Sequence, residues 1–262
     1  MAVMTPADDV ARLAAEVAHG VEQAHQLVAA VVAGADVTLA MLPGPLADGA
    51  PAGAAELARL TSEVLGDTAQ LLALAGDPTT LRSAGAVWSG GVGAVAGRLA
   101  GLATLSATQA DDRWTGVAAD AYRNSLAPQQ AALAAVKAAS DEIDAALADV
   151  AAAILRFWTA VAADCITLVT ALTAASATAG TVIGAPAGIA GAAAALVAFA
   201  AAMVGTVSAL TDITTDATTR AAALERRVSN DVAFPGGAWP RSTTDMSDGS
   251  LIDGDDTDWH LR

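Results

Sequence analysis

The residues best suited to catalysis or metal binding are few, and their spacing fits neither task. His19 and His25 lie six residues apart in a helical pattern, whereas two histidines that bind one metal ion from a single helix face lie four apart. Cys165 opens an uncharged segment with no basic neighbour to lower its pKa, so it is expected to be a small hydrophobic residue. The Asp111–Asp112 pair beside Arg113 is typical of a solvated loop. We therefore expect no catalytic, cofactor-binding or metal-binding residues, and a protein that is not an enzyme.

Composition limits both the fold and the classes of partner. Hydrophobic residues make up 54% of the 262 residues but aromatic residues only 3%, and a chain rich in Ala and poor in aromatics favours helices over sheets. The balance of 13 basic and 28 acidic residues gives a net charge of −15. Nucleic-acid binding is therefore not expected, because phosphates bind Lys and Arg. The N-terminus, MAVMTPADDV, lacks the basic and apolar regions of a conventional signal peptide.

Residues 1–76 are predicted to form one helical hairpin. Thr5 and Pro6 supply a capping hydroxyl and a proline at the first helical position. From Val10 to Val31, apolar residues recur at spacings of three and four, which predicts one apolar face. The Pro-Gly-Pro at 43–45 ends this helix, and a second helix is predicted from about residue 51 to residue 75.

Residues 77–230 are predicted to form a helical bundle. The third helix begins at Asp77–Pro78 and carries large apolar residues on one seam, with several glycines that permit close approach of a partner helix. The fourth helix has a seam of the coiled-coil type in which only Gln129 and Ser140 are polar. A fifth helix returns antiparallel to the fourth. The predicted fold is thus all-α, an elongated antiparallel bundle of long hairpins.

The fourth and fifth helices meet in an apolar extension, and an acidic tail follows them. Residues 165–211 contain no charge and are interrupted at Gly184-Ala185-Pro186, which predicts a hairpin tip. Residues 231–262 are rich in Gly, Ser, Thr and Asp and are predicted to be disordered. The side chains expected at the exposed apolar tip are Ile183, Ile189, Leu196, Val197 and Phe199.

A Trp-x-Gly tripeptide lies between the third and fourth helical patterns. Trp114-Thr115-Gly116 is followed by Tyr122, eight residues after the tryptophan. At such a turn a glycine can adopt positive φ, and an indole can cover the open end of a helical hairpin. A second tripeptide, Trp88-Ser89-Gly90, lies within the third helix, where its tryptophan is expected to pack in the core.

The run RWTGVAADAY, between two seamed helices, resembles the WXG/ESX family of type VII secretion substrates of actinobacteria and firmicutes. Residues 77 to about 165 carry this resemblance. With residues 1–76 before them, they look like a PE-like hairpin that precedes a PPE-like body. The resemblance implies a helical, non-enzymatic protein that is cytoplasmic before export. It is then secreted or held in the cell envelope, folded and without a cleaved signal peptide.

The resemblance also implies recognition residues. Trp114, Gly116 and Tyr122 correspond to the recognition surface of the family, and Trp259 and Leu261 correspond to tail segments that meet the secretion ATPase. The residue four after Tyr122 is Leu126, where the family has an acidic residue. Three explanations stay open: a partner chain supplies the export signal, the tail holds a substitute, or the chain is not exported.

Three functions are compatible with the sequence. The first is helix–helix interaction with a protein partner: a small WXG protein, a secretion chaperone, the secretion ATPase or a second copy of the chain. The second is membrane insertion of the apolar hairpin 165–210, since each arm is long enough to cross a bilayer, although it is richer in Ala, Thr, Ser and Gly than lipid-facing helices are. The third is an intracellular structural bundle.

Overall fold

The chain is helical throughout the part that the structure describes. The computed structural model describes residues 6–39, 50–73, 76–108, 116–181 and 184–240, and no strand occurs in these ranges. The prediction of an all-α helical bundle is confirmed. The elements are α1 (Pro6–Leu39), α2 (Ala50–Leu72), α3 (Pro78–Val87), a π-helical segment (Trp88–Gly93), α4 (Ala94–Leu102), α5 (Leu105–Thr108), α6 (Val117–Ala179), α7 (Ala185–Asn230) and a short 3-10 turn (Pro235–Gly237).

The chain forms two compact units whose boundaries differ from the predicted segments. The first unit combines Met1–Thr79 with Val150–Thr214, and the second combines Thr80–Asp149 with Thr215–Arg262. The predicted N-terminal hairpin thus shares a unit with the apolar halves of α6 and α7. The reason is that one hairpin cannot enclose its own apolar face, and the uncharged halves of the long helices cover it.

The core of the first unit brings together four helical segments. Val17 of α1, Leu57 of α2, Trp158 of α6 and Leu196 of α7 are among its fully buried side chains, and so is Val31 of α1. The indole of Trp158 meets the preceding phenylalanine ring edge-on, with 5.3 Å between ring centroids, a favourable geometry for two aromatic rings. These contacts confirm the apolar face predicted for α1.

Small residues set the spacing of the helices in the first unit. Gly20 of α1 faces Cys165 of α6 so closely that a Cβ built on the glycine would lie 3.2 Å from the cysteine Cβ. At the start of α7, a Cβ built on Gly188 would lie 2.6 Å from the Cβ of Ala179 and 2.8 Å from the carbonyl oxygen of Ala175. The two arms of the apolar hairpin are therefore in backbone contact where they meet.

In the second unit, α3 and α4 pack antiparallel to α6 through glycines. A Cβ built on Gly93 would lie 3.0 Å from the Cβ of Ser140, and one built on Gly97 would lie 3.0 Å from the Cδ of Lys137. Gly93 and Ala96 are buried in this contact. The close approach predicted from the glycines is confirmed at these positions, since the distance between two helices depends on the side chains at their contact.

Two ion pairs join the end of α7 to α6 within the second unit. Arg220 donates to Asp149 at 2.7 Å, and Arg227 donates to Glu142 at 3.0 Å. All four side chains are exposed, so each pair contributes little stability. The pairs show which residues of α7 lie beside which residues of α6, but they add little to the free energy of unfolding.

Candidate interaction surface

The large apolar residues of α3, α4 and α5 do not face the core but form an exposed row, the outer stripe. They are between 40% and 61% exposed. Those from Trp88 to Leu102 recur three and four residues apart and therefore lie on one helix face, whereas Leu105 belongs to α5, beyond the break at Ala103. A continuous exposed apolar surface of this kind is typical of an interaction site. The outer stripe consists of Trp88, Val92, Val95, Leu99, Leu102 and Leu105.

This orientation corrects two predictions for the third helix. Its apolar seam was expected to be buried and Trp88 to pack in the core, but Trp88 is 44% exposed. The buried face of α3 and α4 is instead the small-residue face that includes Gly85, Gly93 and Ala96. A helix can bury only one face against α6, and the face without bulky side chains allows the closer backbone approach. The large residues are therefore directed outwards.

The helix is irregular where the outer stripe begins. Trp88 opens a π-helical segment that also contains Gly90 and Gly91, and π-helical turns are frequent at functional sites. A Cβ on either glycine would meet nothing within 4 Å. Packing therefore does not require glycine at these two positions, and their effect is to weaken the helix beside the exposed indole.

The helices that carry the outer stripe are basic, although the protein as a whole is acidic. Arg82 and Arg98 are the only charged residues between positions 78 and 108, and both are exposed. Arg98 lies three residues after Val95 and four before Leu102, so it flanks the stripe. An acidic apolar ligand would find both its charges and its apolar groups matched on this surface.

A shallow groove adjoins the first half of the outer stripe. It has a volume of about 240 Å³ and lies between Trp88 and Val92 on one side and the end of α7 on the other. Its apolar lining extends the outer stripe towards α7. Arg227 and Asp231 also line the groove, and its larger apolar lining side chains include Trp88, Val92, Ile143, Leu224, Val228 and Phe234.

Residues 231–240, predicted to be part of a disordered tail, instead fold back onto α6. The rings of Phe234 and Trp239 lie 6.0 Å apart, and Gly236 and Gly237 adopt positive φ in the turn between them. The indole N–H of Trp239 donates to the side-chain oxygen of Gln129. The Gln129 side-chain amide in turn donates to the carbonyl oxygen of Pro240 at 2.6 Å. Residues 241–262 lie outside the described residues.

These contacts explain the two polar residues in the seam of the fourth helix. The Gln129 side chain forms hydrogen bonds with Trp239 and Pro240. Ser140 is 2% exposed, and its hydroxyl donates to the carbonyl oxygen of Val136 at 2.9 Å, a bond that satisfies a buried hydroxyl within its own helix. Sequence reasoning identified both residues as exceptions, but their partners are visible only in three dimensions.

The Trp-x-Gly turn is described only in part. Gly116 has a φ of +114°, which confirms the expected positive φ, and its carbonyl oxygen accepts a hydrogen bond from the Asp120 N–H at 3.0 Å. Tyr122 is partly buried, and its carbonyl oxygen accepts a hydrogen bond from the Ser125 hydroxyl at 2.7 Å. Trp114 lies outside the described residues, as do Trp259 and Leu261 of the tail.

The residues of the predicted apolar tip fall into two groups. Ile189, Leu196 and Phe199 are buried in the core of the first unit, and a Cβ built on Gly53 of α2 would lie 3.3 Å from the Cγ2 of Ile189. Only Val197, which is 55% exposed, faces outwards. The N-terminal hairpin thus covers one face of the segment that was expected to form an exposed tip. Ile183 lies outside the described residues.

Two of the residues considered for chemistry, His25 and Cys165, lie in the first unit. The Nδ1 atom of His25 lies 3.1 Å from the carbonyl oxygen of Val21 in its own helix. Burial raises the pKa of the Cys165 thiol to about 11, and the neighbouring charge of Asp164 adds to the shift, so the thiol is protonated at neutral pH and is a poor nucleophile. Among the residues that the structure describes, no group of three His, Cys, Asp or Glu side chains could hold a metal ion.

Two helices are long and apolar enough to cross a membrane, namely Ala119–Ala179 and Ala185–Asn230. Length and composition alone are weak grounds, because core helices of soluble proteins meet the same criteria. Comparison with known proteins finds no matching family model, no matching curated protein and no matching solved structure.

Proposed function

We propose that this chain is a non-enzymatic protein that acts by helix–helix interaction with a helical partner and is a substrate of type VII secretion. The observation that carries the interaction is the outer stripe, in which the exposed apolar side chains from Trp88 to Leu102 share one helical face and Leu105 follows in the next short helix. The resemblance of RWTGVAADAY to the WXG/ESX family supports the secretion. The positive φ of Gly116 supports the tight turn that the family places at this motif.

The partner that best fits the outer stripe is a helix with its own apolar face and acidic flanks. Apolar side chains at spacings of three and four match the periodicity of an amphipathic helix laid alongside them. Arg98 flanks the stripe, and the stripe helices carry no acidic residue between positions 78 and 108. Carboxylates on the partner would pair with Arg82 and Arg98 and set the orientation of the complex.

Export is tested with the full chain in an actinobacterium that has an active type VII system. We expect the tagged protein in the culture filtrate of the parent strain and only in the cytosol of a strain without the secretion ATPase. Leu99→Asp places a charge in the middle of the stripe and is expected to lower the exported fraction about tenfold, since tenfold corresponds to about 1.4 kcal/mol of binding energy.

The matched control for this variant is Val204→Asp. Val204 is 71% exposed and lies in the first unit, so it adds the same charge away from the outer stripe. Retention of the unaltered protein in the cytosol of the competent strain would rule out secretion. Equal export of the two variants would show that secretion does not depend on the outer stripe.

A second candidate function is membrane insertion of residues 165–210. It is favoured by the outer faces of the uncharged segment, where Ile166 is 66% exposed and Val204 is 71% exposed. Insertion would release dye from liposomes, and Ile166→Asp together with Val204→Asp would abolish the release because each charge opposes lipid burial. Intact liposomes of neutral and anionic composition, at both neutral and mildly acidic pH, would eliminate this function.

A further inference from the structure

We propose that the outer stripe is the docking surface for the chain's own acidic segment, residues 241–262. This inference rests on the proposed function only in that the same stripe also serves the partner. The segment would cover the apolar row before the partner arrives, and the partner would have to displace it. Where the segment begins, its length and its charge all favour this docking.

The segment begins towards one end of the outer stripe. Since Gly93 faces Ser140 and Gly97 faces Lys137, the stripe helices and α6 run antiparallel. Gln129 lies eight residues before Lys137, which is about 12 Å along α6 in the direction in which α4 runs. Gln129 donates to the carbonyl oxygen of Pro240 at 2.6 Å. Pro240, after which the segment begins, therefore lies along α6 on the side where α4 ends.

Residues 241–262 are long enough to follow the stripe to its other end. Trp88 and Leu102 are 14 residues apart, which is about 21 Å along a helix, and Leu105 follows three residues later. The 22 residues after Pro240 span at most about 73 Å when extended. Because they are tethered at Pro240, their local concentration at the stripe is in the millimolar range, as for short linkers. A weak contact would thus be well populated.

The composition of the segment complements the stripe. It contains six aspartates, at positions 245, 248, 253, 255, 256 and 258, against two arginines at positions 241 and 262, together with apolar residues that include Ile252, Trp259 and Leu261. The stripe offers six apolar side chains flanked by Arg98. Aspartates directed at Arg82 and Arg98, with apolar residues on the stripe between them, would match charge with charge and cover exposed apolar surface.

The docking is tested in the full chain with a photo-crosslinker, p-benzoylphenylalanine, in place of Trp259. At low protein concentration we expect intramolecular crosslinks that mass spectrometry maps to residues 88–105. Leu99→Asp is expected to lower their yield about tenfold, whereas Val204→Asp leaves the yield unchanged. Sodium chloride at 1 M is expected to reduce the yield as well, because it screens the pairing of aspartate with arginine.

Three results would overturn the docking: crosslinks between two copies of the chain, crosslinks scattered over both units, or a yield unchanged by Leu99→Asp. Circular dichroism of each variant checks that the helices are retained. The crosslinking needs neither a partner nor a secretion system, so its outcome is independent of export. Crosslinks at the stripe in a protein that is never exported would keep the docking and remove the proposed function. If Leu99→Asp lowered export but these crosslinks were absent, the proposed function would stand and the docking would be ruled out.

Discussion

Replacing Leu196 with alanine is expected to lower the free energy of unfolding of the first unit by about 3 kcal/mol. Leu196 is fully buried in the shared core of the N-terminal hairpin and the long helices. Truncation removes the transfer energy of its methyl groups and leaves a cavity that rigid neighbouring helices cannot fill. Urea unfolding followed by circular dichroism measures the loss, and hydrogen–deuterium exchange shows whether it is confined to residues 6–39, 50–72 and 150–214.

The adjacent residue supplies the control for this prediction. Val197 is 55% exposed, so Val197→Ala removes little buried surface and is expected to change the free energy of unfolding by less than about 0.5 kcal/mol. Equally large losses of unfolding free energy from Leu196→Ala and Val197→Ala would contradict the packing of α7 on the hairpin. Two equally small losses would indicate the exposed apolar tip that the sequence predicts.

Replacing Gly188 with alanine is expected to destabilise the first unit by about 2 kcal/mol, although alanine is the better helix former. The new Cβ would lie 2.6 Å from the Ala179 Cβ, 2.7 Å from the Ala179 nitrogen and 2.8 Å from the Ala175 carbonyl oxygen. Two of these three atoms belong to the backbone and cannot rotate away, so the arms of the hairpin must separate. Overpacking of this kind costs about 1–3 kcal/mol.

Gly205 tests the same substitution in open space. It also lies within α7, and a Cβ built on it would meet nothing within 4 Å. Gly205→Ala is therefore expected to stabilise the helix by about 0.5–1 kcal/mol, through the lower conformational entropy of alanine in the unfolded chain. Thermal unfolding of both variants should give shifts of opposite sign. A gain in stability from Gly188→Ala would contradict the close contact of α6 and α7.

Much of the secondary structure could be predicted because it depends on local signals. Asp77 and Pro78 mark a helix start, and the helix α3 begins at Pro78. The spacing of Val10, Val17 and Val31 predicts the buried face of α1, and all three are buried. Capping groups, proline and apolar periodicity act within a few residues of one another, so they can be recognised without knowledge of the fold.

The glycine-rich third helix shows where this reasoning fails. Its sequence contains two continuous faces, one of large apolar residues that includes Trp88 and one of small residues that includes Gly93. Periodicity describes both faces equally well and does not decide which one meets α6. The large face was expected inside, and the small face is inside. As a result, the exposure of the outer stripe to solvent could not be predicted from the sequence.

The residues around Gln129 show a second limit of sequence reasoning. A glutamine in an apolar seam signals a polar contact, but its partners, Trp239 and Pro240, lie more than 100 residues away. Their surroundings, rich in Gly and Asp, are typical of a disordered tail. The Phe234–Trp239 ring contact and the two hydrogen bonds of Gln129 connect residues 231–240 to α6. Long-range pairing of this kind has no local signature.

Helix positions, breaks and the all-α class follow from periodicity, capping and composition, which are properties of neighbouring residues. Burial is different, because it depends on the surface that another segment presents. The hairpin of α1 and α2 covers Leu196 and leaves Val197 outside, although both belong to one uncharged run of apolar residues. In the second unit, close contact with α6 buries Gly85 and Gly93, and the outer stripe on the opposite side stays exposed. Tertiary packing thus decided which apolar residues stabilise the fold and which remain available for binding, because only the packed neighbours determine which surface water can reach.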